Sequence, residues 1–236
     1  MKKAFKFMVV AAVLVFATSS SLMAQVKFGV KASGTLNNMF HEDDSISDPN
    51  YKRVPVFGFN VGVMGEFFLN DNMSIGAELL FAQQGYKRTY NVDEDKSELT
   101  FRTNHINLPI LFRYYIGGLA IEAGPQVSFC FGGNRNLYEK EVVLGHTLID
   151  TTYSMTMSEL EENYQKLPGL SDFKVWNRIN IGGTIGLSYN MPSGLFFGAR
   201  YTYDFTNFFN TINKDGKQEP YKSHYGVISV SVGFKF

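Results

Sequence analysis

The residues of this chain that could do chemistry are four histidines, one cysteine and many acidic and hydroxyl side chains. His41, His105, His146 and His224 are candidates for general-base work, and imidazole with Ser and a carboxylate is the set that acyl transfer and ester hydrolysis require. His41 and His146 fall in polar stretches. His105 and His224 fall near the ends of alternating apolar segments, so the site they would build lies at the rim of a sheet. No motif fixes a nucleophile beside them, and Ser, Asp and Glu are common in the same stretches, so the grouping needs no function. His41, Glu42, Asp43, Asp44 and Asp48 have a calcium-site composition, but their spacing matches no EF-hand loop and reads as a solvated acidic segment. Cys130, the only cysteine, cannot close an internal disulfide. We expect no catalytic residue, no cofactor and no metal.

A second set of chemical side chains is more orderly. Lys27, Lys31, Glu66, Glu78, Arg113, Glu122, Arg178, Arg200, Asp204 and Lys235 each occupy the polar side of a segment in which apolar and polar residues alternate. A strand turns successive side chains to opposite faces, so these charges share one surface. If that surface is enclosed, the charges need partners, and six basic against four acidic groups can largely pair. The expectation is a packed ionic network, not a conduction path.

The elements that must position these charges are strands, at about Val26–Leu36, Val56–Leu69, Met73–Tyr90, Phe101–Tyr115, Leu119–Gly132, Val175–Tyr189, Leu195–Phe205 and Tyr225–Phe236. In the last of them Ile228, Val230, Val232, Phe234 and Phe236 alternate without a break with Ser229, Ser231, Gly233 and Lys235. Pro109 cannot donate to a ladder and predicts a local bulge in the fourth strand. The connections read long at 37–55, short at 70–72, long at 91–98, short at 116–118, long at 133–174, short at 190–194 and long at 207–222. Within the 133–174 insertion, Ser158 and Glu161 have capping-box spacing and Pro168-Gly169 would stop a helix from Glu159 to Leu167.

Residues 1–24 have the layout of a cleavable signal peptide: Lys2, Lys3 and Lys6, an apolar run from Phe7 to Ala17, then small residues up to Ala24. The full chain carries 22 basic and 22 acidic residues, so losing those three lysines leaves residues 25–236 acidic by three. That balance suggests no nucleic-acid partner. After the leader no apolar run is long enough for a spanning helix, so a membrane would have to be crossed by strands. Eight strands with alternately short and long connections bring both ends of the chain to the short-turn side, as in an outer-membrane barrel. Outward aromatics near strand ends, among them Phe67, Tyr114, Tyr189, Phe197, Tyr201 and Tyr203, would form interfacial girdles, and lipid is the cover available to the apolar stripes. The fold class expected is therefore all-β, an eight-stranded antiparallel up-and-down transmembrane β-barrel with long outer loops. It would sit in the outer membrane of a Gram-negative cell with lipid around it. Two other readings use the same residues: an outer-membrane lipid-modifying enzyme with a histidine site at its rim, and a soluble lipocalin-like carrier.

The sequence also resembles the outer-membrane β-barrel domain proteins of Bacteroidetes termed PorT-like. The resemblance rests on Phe28-Gly29-Val30-Lys31-Ala32, Asn107-Leu108-Pro109-Ile110-Leu111, Gly124-Pro125-Gln126, Gly198-Ala199-Arg200-Tyr201 and Val232-Gly233-Phe234-Lys235-Phe236, in that order. It implies an eight-stranded barrel, and it implies that Phe234 and Phe236 lie in the signal read by the barrel-assembly machinery. The 133–174 insertion looks individual to this chain, which makes the outer loops the expected place for a protein or ligand partner.

Overall fold

Period-two alternation becomes twelve strands and one helix in the computed structural model, which describes residues 25–41, 50–92, 95–143, 146–167, 170, 173–212 and 218–236. The expected leader and the acidic run Glu42, Asp43, Asp44 and Asp48 lie outside the described residues. Eight strands form the wall: β1 (Val26–His41), β3 (Val56–Asn70), β4 (Met73–Val92), β5 (Asp95–Ile116), β6 (Leu119–Val143), β8 (Ile179–Asn190), β9 (Leu195–Asp204) and β12 (Ser223–Lys235). Each pairs antiparallel with the next in the ring. The ring closes where β1 meets β12, with Gly29 opposite Lys235 and Ala32 opposite Val232. No edge strand remains in the wall, which removes the row of unpaired backbone groups that neither lipid nor water-exposed sheets tolerate well.

The two faces of this wall differ as the alternation requires. Phe28, Val30, Val63, Ile75, Ile121, Ile185, Val230 and Val232 point outward and are exposed. Between them Lys31, Glu66, Glu78, Arg113, Glu122 and Arg200 point inward and are buried. Each apolar side chain left in water would forgo about 1.5–3 kcal/mol of burial, so stripes on all eight strands require an apolar surrounding. Three tight turns, at 71–72, 117–118 and 191–194, lie at one end with Gln25 and Phe236. Gly117 and Gly194 adopt φ of 61° and 91° in two of these turns, a left-handed backbone that a side chain would strain.

At the opposite end the chain departs from the sequence expectations in an informative way. The stretches 37–41, 91–92, 95–98 and 133–143 are strand, not loop, so β5 has 22 residues and β6 has 25. A tilted spanning strand needs only about 9–11. The hairpin β4–β5 and the β6–β7 pair, with β7 (His146–Thr156), therefore project well beyond the lipid-facing band. Short β2 (Tyr51–Val54) flanks β4 there, and β10 (Phe209–Ile212) with β11 (Gln218–Tyr221) forms a small separate hairpin.

Two local expectations are corrected. Pro109 makes no bulge: the β5–β6 register is the same at Pro109 opposite Gln126 as at Phe112 opposite Ala123, and the shift falls at Asn104/His105 instead. A missing N–H costs a ladder bond but need not add a residue to the strand. The helix α1 runs Met157–Gln165, two residues earlier than expected, with Thr156 as its N-cap and Glu159 completing the capping box. Both Thr156/Glu159 and Ser158/Glu161 have the required spacing. The observed choice puts Met157 into a buried cluster with Met39, Cys130, Phe173, Trp176, Phe208 and Tyr225.

Candidate functional site

The inner wall divides into an ionic layer and an aromatic layer. In the ionic layer Glu78, on β4, is the hub. Arg200 on β9 grips it with two guanidinium nitrogens, each 2.7 Å from a carboxylate oxygen. Arg113 on β5 donates at 2.7 Å and Lys31 on β1 at 3.1 Å. Glu122 on β6 receives Arg113 Nε at 2.9 Å and Arg200 through Nε and Nη2. Nearer the short turns Glu66 on β3 takes Lys235 at 2.7 Å, lies 3.6 Å from Arg113, and accepts from the Ser74 and Tyr115 hydroxyls. Lys235 also reaches Asn190 at 2.7 Å and Tyr115 at 3.0 Å.

Seven residues expected on one surface, namely Lys31, Glu66, Glu78, Arg113, Glu122, Arg200 and Lys235, are thus one network drawn from seven of the eight wall strands. The bidentate arginine geometry is the strongest form of such a pair, and each carboxylate is shared between cations, so every charge in the layer has a partner of opposite sign. Glycines make the room. A side chain at Gly76 would enter the Arg113 guanidinium, and one at Gly186 would sit 2.6 Å from Arg200 Cγ. An eight-stranded barrel has an interior just wide enough for its own side chains, and this layer fills it.

Three expected members are elsewhere. Arg178 precedes β8, is 64 % exposed at its side chain and lies 4.0 Å from Glu161. Lys27 is exposed near the short turns, with Nζ over the Phe68 ring at 5.2 Å. Asp204 faces inward and is buried, but four residues beyond Arg200 on β9 it lies outside the network, and no cation pairs with it among the described residues. Ser74, Tyr115 and Asn190 join the network as uncharged partners, and they share inward parity with Glu78, Arg113 and Ser188 along their strands.

Above the ionic layer the outer mouth is closed by the cluster around Met157 of α1, Trp176 after it, Phe208 before β10 and Tyr225 of β12. His105 lies beneath it, fully buried, with Nε2 2.8 Å from Thr103 Oγ1, which in turn is 3.2 Å from the Tyr225 hydroxyl. Nδ1 of His105 has no partner, so no carboxylate orients this imidazole. His224 Nδ1 faces the Asp204 carbonyl oxygen at 3.1 Å and stacks on Tyr203. The side chains of His41 and His146 lie outside the described residues. Neither described histidine therefore has the base–acid–nucleophile arrangement that the rim-enzyme reading needs. No group of three His, Cys, Asp or Glu residues able to hold a metal occurs among the described residues.

A closed eight-stranded ring, apolar outside and ionically packed inside, defines an outer-membrane β-barrel. Residues 16–210 match the family model described as outer membrane protein beta-barrel domain, and the chain belongs to that family, which places it in the outer membrane. Its structure is similar to that of Ail, the attachment invasion locus protein of Yersinia pestis, at 12 % identity and a TM-score of 0.43, over 90 % of this chain and 99 % of that one. It is also similar to Neisserial surface protein A, at 14 % identity and a TM-score of 0.44, over 89 % and 97 % of the two chains. OprG from Pseudomonas aeruginosa is a further likeness, at 9 % identity and a TM-score of 0.40, over 90 % and 96 %. Among curated proteins none matches the sequence.

Proposed function

We propose that the protein is a non-enzymatic outer-membrane barrel whose outer platform, built from the extended β4–β5 hairpin, the β6–β7 pair and α1, engages a partner or ligand outside the cell. The observation that carries this reading is the length of β5 and β6, which extend far past what lipid requires and end in an ordered, helix-closed structure. A barrel that served only to anchor would need neither. In the same reading residues 1–24 are a cleaved leader, residues 25–236 act as one barrel domain, Phe234 and Phe236 contribute to recognition by the barrel-assembly machinery, and the chain is akin to the PorT-like barrels of Bacteroidetes. Photo-crosslinking from positions in 133–174 on intact cells tests the proposal. Specific adducts support an outer binding role, and crosslinks to bulk lipid and solvent alone would overturn it.

A further inference from the structure

The platform carries one pocket whose chemistry is narrower than its surroundings. It has a volume of about 340 Å³ and opens between the inner faces of β4, β5 and β6, α1 and the β10–β11 hairpin. Its floor is aromatic: Tyr86 and Phe101 stack at 5.1 Å and 11°, and Phe209 stands edge-on to both. Register places Tyr86, Phe101 and Arg135 in one row across three strands, with Arg88 and Leu99 in the next row on the same face. Arg88 and Arg135 both line the pocket, and Arg88 lies over the Tyr86 ring at 5.7 Å.

Among the described residues no carboxylate lines the pocket, and none forms an ion pair with Arg88 or Arg135. On the same hairpin, by contrast, Lys87 and Lys96 share Glu98 at 2.6 and 2.7 Å. Planar guanidinium groups above aromatic faces suit a phosphate or sulfate ester, because each fork can donate twice to one oxyanion. The volume is at the small end of ligand pockets, roughly 300–1,000 Å³, which suits one sugar ring, free or in a headgroup, and not acyl chains.

We infer that this pocket binds a phosphorylated or sulfated hexose unit, its ester held by Arg88 and Arg135 and its ring face laid on Tyr86, Phe101 and Phe209. The inference rests on the outer binding role proposed above. The two fail separately, since crosslinks from 133–174 without sugar-ester binding would remove only this assignment.

Trp176 is the only tryptophan, is bridged to Phe209 and adjoins Val175 of the pocket wall, so its emission reports occupancy in the full-length barrel in detergent micelles. Titration with glucose 6-phosphate and glucose 6-sulfate should give a saturable change, absent with glucose and much weaker with inorganic phosphate. Arg88→Gln and Arg135→Gln should each weaken binding about tenfold or more, the worth of a charge-assisted hydrogen bond, while Lys140→Gln should not. Should the double Gln variant fail to fold, Arg88→Lys with Arg135→Lys keeps the charge and should still weaken binding by losing the forks. Equal responses to glucose and its esters, no response to either ester, or full affinity in the folded Lys pair would overturn the assignment. In phosphatidylcholine vesicles with lipid A, competition with the soluble ester would assign the ligand to the membrane's own phosphosugars. Unchanged affinity there would assign it to the medium outside.

Discussion

Replacing Glu78 by Gln tests the ionic layer at its hub. The carboxylate takes two contacts from Arg200, one from Arg113 and one from Lys31, all between 2.7 and 3.1 Å, and its side chain has no exposure. With Glu78 ionised, the layer sets Lys31, Arg113, Arg200 and Lys235 against Glu66, Glu78 and Glu122, an excess of one positive charge. The amide keeps the shape but raises the excess to two and puts an NH₂ where two guanidinium groups donate. Removing one partner of a buried pair costs about 3–5 kcal/mol, because the cations left behind stay desolvated. Urea unfolding in detergent micelles, followed by Trp176 emission and by heat-dependent gel mobility, should show the unfolding free energy fall by that amount, read from the lower midpoint at unchanged slope. Glu98→Gln, at the exposed Lys87–Lys96 hairpin, should cost only about 0–1 kcal/mol. Pairing Glu78→Gln with Lys31→Met should recover part of the loss by removing one unpaired cation. A Glu78→Gln unfolding free energy within about 1 kcal/mol of the parent would refute the coupled network.

Deleting Phe236 should reduce barrel yield in the membrane more than deleting residues from the 213–217 segment does, and equal yields would remove the assembly-signal reading. Planar-bilayer recordings should lack large stable conductance steps, since Arg113, Glu78 and Arg200 fill the cross-section; such steps would falsify the packed lumen. Thr156→Ala should weaken the capping of α1 by about 1 kcal/mol, raising protease access to the outer plug. Glu159 belongs to the same cap, and the Thr156 backbone N–H, then its hydroxyl, hold the Glu159 carboxyl below the usual carboxylate range. Its contribution is therefore complete above the ordinary Glu pKa and is lost as pH falls through the depressed folded value, so protease access should rise only in acid. His105→Ala with His224→Ala should leave the cell's lipid A profile unchanged, and an altered profile would revive the rim-enzyme reading.

How much of this was legible follows from what each pattern encodes. Parity along a strand is rigid, so Lys31, Glu66, Glu78, Arg113, Glu122, Arg200 and Lys235 could be placed inside without knowing any register. Height along the barrel axis is not encoded by parity, which is why Asp204, with the right face, lies apart from Arg200 on the same strand. Arg178 shows a different failure: parity was extended past Ile179, where β8 begins, into backbone that is no longer strand. The segments 95–98 and 133–143 read as loops because beyond the lipid band both faces meet water, so the apolar alternation fades while the ladder continues. The helix start depended on a tertiary choice. Two capping boxes of equal local quality overlap, and burial of Met157 in the outer plug selects the first.

A closed barrel held in the outer membrane by its apolar exterior is tested by fractionation of cells followed by gel migration of boiled and unboiled samples. The protein should sediment with outer membranes, need detergent for release, and migrate faster before boiling than after. Recovery as a soluble monomer whose migration is indifferent to boiling would contradict it.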